Sequence, residues 1–231
     1  MTMSIPDRMT YERAFFLNEE RGEPTPFDAA FVLEATCFHE AGHAVAGYML
    51  GFGLSSVSVT VECARLPENP EKLGYRFPGL YMQAKRPTAR WGRAIRERGY
   101  GHAALAFGCM TCAGPAAELR FLTYNDMPRQ MLGATIGDHE AVDRIGKYLD
   151  NGGNGRFRPR DRFAFRRLSW REAQKLIHRE DVWDAVGELA YALQEGLYDW
   201  PEAPGQATSL IPGSTARSII RRAGIAPLGQ E

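Results

Sequence analysis

From Ala29 to Tyr48 the apolar and small residues Phe31, Val32, Ala35, Phe38, Ala41, Val45 and Tyr48 recur at intervals of one helical turn. That spacing predicts a long helix. Asp28 stands where a side-chain oxygen can cap its first turn, and Gly51 and Gly53 stand where it should stop. The rhythm then changes. From Ser55 to Glu62, Val57, Val59 and Val61 alternate with Ser58 and Thr60, which predicts a half-buried strand of high β-propensity. Leu73 to Tyr81 follows as a short strand or hairpin.

Pro87 to Tyr124 reads as one or two helices. The stretch Ala103 to Leu122 is rich in small residues suited to close helix packing, and Pro115 is expected to start or kink a segment within it. A helix from Asp138 to Leu149 places Ala141, Val142, Ile145 and Leu149 on one face, and Asn151 to Gly155 breaks it. Ser169 with Glu172 has the form of a capping box for a helix through about Arg179. Asp181 to Tyr198 and Ser214 to Arg222 complete the helices, and no internal repeat is present. The expected fold class is α+β, mainly helical with a small β-sheet. A polar arm over 1–26 precedes a single domain over 27–231, with a core over 28–150 and a C-terminal helical part over 156–225.

Composition narrows the function. The chain has 231 residues, with 28 basic and 28 acidic side chains, so net charge gives no drive toward nucleic acid or an anionic membrane. The first residues lack an apolar export segment, and no apolar run approaches the roughly 18 residues of a membrane span. A cytoplasmic setting is therefore expected, with the four cysteines, Cys37, Cys63, Cys109 and Cys112, as reduced thiols.

The chemistry concentrates at His39-Glu40-Ala41-Gly42-His43, an H-E-x-x-H sequence inside the long helix. Residues four apart share a helix face, so both imidazoles can reach one cation. Imidazole nitrogen suits Zn²⁺, and Glu40 can take a proton from water activated by the metal. A catalytic zinc needs a third protein ligand and one open position. Cys37 lies two positions before His39 and points away from it. Cys109-Met110-Thr111-Cys112 is a C-x-x-C without a second pair to complete a metal site, and reads as core packing. His102 and His178 have no ligand spacing around them. Seven arginines between Arg156 and Arg171 are interleaved with aromatic residues. They form a solvated face or a surface for an acidic partner.

His39 to Tyr48, HEAGHAVAGY, closely resembles the zinc helix in the peptidase domain of FtsH-type proteases, the M41 metallopeptidases. Leu73-Gly74-Tyr75 resembles that domain's glycine-tyrosine strand, and Ala113 to Glu118 its G-G-R-x-A-E segment, with Pro115 in place of arginine. Gly137-Asp138 with Val142 and Ile145 is similar to the later helix whose aspartate completes the metal site. The resemblance implies metal ligands His39, His43 and Asp138, a catalytic base Glu40, and a supporting acid Glu118. Asp138 also fits a helix cap or first-turn carboxylate, and His139, Glu140 and Asp143 are alternative ligands nearby. No G-x-x-x-x-G-K-[ST] sequence occurs, and 38 residues precede the motif. The expectation is an ATP-independent metalloendopeptidase with one Zn²⁺ per chain, acting on peptide or unfolded protein, with no membrane and no nucleic acid as partner. Rings formed by relatives make a homo-oligomer a further expectation. The alternative is a metal-containing binding module that recognises an acidic partner or nucleic acid through Arg156 to Arg171.

Overall fold

The helix Ala29–Met49 (α1) is apolar on nearly every side, and its residues from Leu33 onward are buried almost without interruption. In the computed structural model, which describes residues 29–66, 69–76, 79–83, 100–125, 136–150, 162–197 and 204–227, α1 runs through the centre of a mainly helical α+β fold. Gly51 ends it. Its φ of 86° is open to glycine, and it lets Gly51 N–H bond Tyr48 O and Phe52 N–H bond Gly47 O. The reversal delivers the chain directly into the sheet.

Strand Leu54–Leu66 (β1) is the middle of that sheet. Strands Asn69–Arg76 (β2) and Gly79–Gln83 (β3) both pair with it antiparallel, Arg76 opposite Glu62 and Gly79 opposite Val59. The segment read as one short strand or hairpin is thus two successive stretches of a single return path along one edge of β1. Its other edge is taken by Gly205–Pro212 (β4), antiparallel from Ser56↔Pro212 to Cys63↔Gly205. This strand was not expected, and the C-terminal part is therefore not purely helical. Only Ser209 and Ile211 of β4 are buried, while Leu210 is exposed, so the strand carries no clear apolar alternation.

Helix Tyr100–Tyr124 (α2) packs along α1. Gly42 makes the crossing close: a Cβ there would lie 2.6 Å from Ala113 O and 2.7 Å from Ala117 Cβ. Pro115 neither starts nor ends a segment but sits inside α2, which continues through it under this packing. Helix Ile136–Asp150 (α3) and helix Arg162–Ile177 (α4) follow. The expected capping box is corrected here. Ser169 lies within α4, fully buried against Gly108 of α2, and its hydroxyl has no hydrogen-bond partner among the described residues. Glu172 meanwhile pairs with Lys175 and Arg171 at the surface.

Helix Glu180–Glu195 (α5) buries Val182, Ala185, Val186, Leu189, Ala190 and Leu193 against α1. There Phe38 stacks on Phe121 at 4.5 Å and on Trp183 at 5.2 Å. Helix Gly213–Arg222 (α6) ties back to the start of the sheet: Arg217 donates to Leu54 O at 2.8 Å, and Arg221 donates to Tyr48 Oη at 2.9 Å. A continuous buried cluster runs from Leu33 in α1 to Ile225 beyond α6. The polar arm, Asp28, residues 87–99 and the break at 151–155 lie outside the described residues. Among the described residues no helix is long and apolar enough to cross a membrane.

Candidate metal centre

His39 and His43 occupy one face of α1 where it meets α2, and Asp138 reaches them from the first turn of α3. The three ligand atoms form a nearly regular triangle. His39 Nε2 lies 3.1 Å from His43 Nε2 and 3.1 Å from Asp138 Oδ2, and His43 Nε2 lies 3.3 Å from the same oxygen. A tetrahedral ion with bonds of roughly 2.0–2.1 Å holds its ligands about 3.3 Å apart. The triangle has the size of one face of such a tetrahedron. The group can hold a metal ion.

The remaining ring nitrogens explain how the imidazoles are aimed. His39 Nδ1 donates to Glu118 Oε2 at 2.8 Å, and His43 Nδ1 donates to the Met110 carbonyl at 2.9 Å. Both partners are acceptors only, so the proton belongs on Nδ1 and the Nε2 lone pairs face the triangle. This outer layer is what a metal-ligating histidine requires. Glu118, Met110 and Gly114 all belong to α2. Gly114 contributes by having no side chain: a Cβ there would be 2.6 Å from His43 Cδ2 and Cε1, inside the ring's own space.

Electrostatics favour positive charge at this point. Burial alone would lower both histidines, but hydrogen bonds to Asp138 and Glu118 and their charges carry His39 well above its ordinary value. His43 is raised too, against burial, chiefly by the charge of Asp138. Burial would raise the Asp138 carboxyl, yet the charge of His43 and hydrogen bonds from both rings hold it far below the usual carboxylate range. A divalent cation supplies the same attraction to Asp138 that the ring protons supply, and competes with them for the Nε2 lone pairs.

Glu40 is buried beside the triangle, and no hydrogen bond among the described residues engages its carboxylate. Burial pushes its pKa up, the two histidines pull it down, and burial wins. The first residue of β3 presses on it: a Cβ at Gly79 would overlap Glu40 Oε1. The chain therefore brings a buried carboxylate, a three-atom ligand triangle and the start of a strand to one place.

Of the alternative ligands, Asp143 is taken by a two-pronged pair with Arg166, Glu140 is exposed, and the side chain of His139 lies outside those described. Burial, with the charges of Glu34 and Glu40, pushes the Cys37 thiol up to about 12. Cys109, likewise buried, is pushed up to about 12, and burial carries Cys112 well above its ordinary value, as in inert packing thiols. His102 and His178 are exposed on α2 and just beyond α4. Sequence reasoning missed the Met110 carbonyl, Gly79 and Gly114. The first acts through backbone, and the glycines act by what they lack, so neither leaves a signature of residue type. In comparisons with known proteins, no family model and no curated protein matches the chain.

Proposed function

We propose that the chain is an ATP-independent zinc metallopeptidase with an M41-like peptidase domain. One observation carries this reading: two Nε2 atoms and one carboxylate oxygen, 3.1–3.3 Å apart, beside the buried carboxylate of Glu40. The donor set of two imidazoles and one carboxylate suits zinc and leaves its fourth position open. Zinc held there supplies Lewis acidity, which activates water at neutral pH and polarises a scissile carbonyl. The protein's own part is then positional. His39, His43 and Asp138 hold the ion, Glu118 and the Met110 carbonyl keep the rings aimed, and Glu40 takes the proton from the attacking water and passes it to the leaving amine. The raised pKa of Glu40 brings it closer to that proton-shuttling task.

A peptide is the substrate this arrangement favours. Strand β3 starts at Gly79, against Glu40, and only β1 pairs with it among the described residues. An extended chain laid on the outer edge of β3 would run past the catalytic carboxylate, with backbone hydrogen bonds giving affinity without sequence preference. The binding-module alternative would rest on the arginine-rich stretch. Within the arginine-rich stretch, Arg156, Arg158 and Arg160 lie outside the described residues, while Arg166 is paired with Asp143 and Arg171 with Glu172.

The test is digestion of unfolded casein without ATP, with and without a chelator, by wild type and Glu40→Gln. Wild type should cleave, chelator should abolish cleavage, and Glu40→Gln should bind zinc normally while losing about 10²–10⁴ in rate. Chelator-resistant cleavage, or full activity in Glu40→Gln, overturns the mechanism.

A further inference from the structure

Among the described side chains, the helix that carries the third ligand has the fewest buried. Along α3 only Val142 and Gly146 are buried among the residues whose side chains are described, with Ile145 packed at the margin. Apolar contact of that extent holds a helix against its neighbours, but it is non-directional and does not set how far the helix slides or turns. Asp138 needs such a setting, because its Oδ2 must stay 3.1 and 3.3 Å from two separate nitrogens.

Among the described residues, the directional contact between α3 and α4 is an ion pair. Arg166 of α4 grips Asp143 of α3 with two prongs, Nε on Oδ1 and Nη2 on Oδ2, and the pair is largely shielded from solvent. A planar guanidinium fork on a carboxylate constrains orientation as well as distance. Asp143 follows Asp138 by five residues on the same helix, an axial separation of about 7.5 Å. A helix transmits position over that length with little loss.

Arg166 is itself well founded. Phe165, Trp170, Ala173 and Ile177 of α4 are fully buried, and Ser169 seats against Gly108 of α2. Helix α2 in turn carries Glu118 and the Met110 carbonyl, which aim the two histidines. The contacts close a circuit from the ring partners on α2, through α4 and the ion pair, to α3 and the third ligand.

We infer that Arg166 is a positioning residue for the metal centre, acting through Asp143 to hold Asp138 in register with His39 and His43. The inference rests on the zinc-site reading above. Zinc affinity is measured by competition with a chromophoric chelator, alongside the d–d spectrum of the Co²⁺-substituted protein and the melting temperature of the metal-free protein. Arg166→Gln and Asp143→Asn should each weaken zinc about 10- to 100-fold and change the cobalt spectrum, the range seen when a ligand's supporting partner is lost. Arg166→Lys, which keeps the charge without the fork, should recover only part of the affinity. In an Asp138→Ala background, Arg166→Gln should cost nothing further.

Zinc affinity unchanged in Arg166→Gln while the melting temperature falls would overturn the inference and leave a purely structural pair. An equal loss in the Asp138→Ala background would overturn it as well, because the effect would not run through Asp138. A wild-type protein that binds no stoichiometric zinc in the same titration removes the metal reading and this inference with it.

Discussion

A neutral imidazole offers a single lone pair, and the group on its other nitrogen decides where that lone pair points. At His39 the deciding group is a carboxylate, Glu118, and at His43 it is a backbone carbonyl, that of Met110. The two should respond differently to mutation. Glu118→Gln can still present an oxygen to His39 Nδ1, so the ring keeps its orientation but loses a charge that makes it a stronger base. Zinc affinity should fall about 10- to 100-fold with the fold intact. Met110→Leu keeps the carbonyl and should leave zinc affinity as it is, which the same chelator competition would show. Equal losses in both variants would mean that the ring partners matter only as packing. His39 and His43 were legible because a spacing of four places them on one helix face, and Glu40 because it stands beside them in the H-E-x-x-H pattern. Asp138 and Glu118 entered only through resemblance, since nothing local brings α1, α2 and α3 together.

The crossing of α1 and α2 is what brings the rings to their partners, and it depends on small residues. Gly42 faces Ala113 and Ala117 with no room for one more carbon. Gly42→Ala should therefore force the helices apart and destabilise the protein by about 1–3 kcal/mol. For a chain of this size that is about 2–4 °C of melting temperature per kcal/mol, readable by calorimetry. A variant that melts with wild type would show that the crossing is looser than its geometry. Elements with a strong period were readable from sequence: α1 by its apolar run and glycine stop, β1 by its alternating valines, α5 by its amphipathic face. Strand β4 was not, because Gly205-Gln206-Ala207-Thr208-Ser209 hardly alternates and its buried polar residue is chosen by a tertiary contact. Ser209 fits where Gly196 has no side chain, since a Cβ at Gly196 would lie 2.9 Å from Ser209 Cβ. Ser169 misled for the same reason: it is small because Gly108 lies against it, and a serine three residues before a glutamate only imitates a cap.

At the scale of the whole molecule, the ligands come from residues 39, 43 and 138, while the frame that holds them closes with residues 205–222. Strand β4 covers the edge of β1 opposite β3, and α6 buries Ile219 and Ile220 over the junction of α1 and the sheet. Together with Ile211, each such side chain contributes about 1.5–3 kcal/mol on burial. Three of them are comparable with the whole stability of an ordinary domain, about 5–15 kcal/mol. Removing residues 204–231 takes away no proposed ligand, base or ring partner. It does strip Arg217 from the Leu54 carbonyl and Arg221 from Tyr48, and it bares eight paired positions of β1 as an open edge. The truncated chain should aggregate or melt without a cooperative transition, and should fail to take up zinc although His39, His43 and Asp138 are all present. Circular dichroism with metal analysis would check this. A truncated chain that stays folded and binds zinc as wild type does would show that α1, α2 and α3 suffice to build the centre, with the C-terminal strand and helix only appended to it.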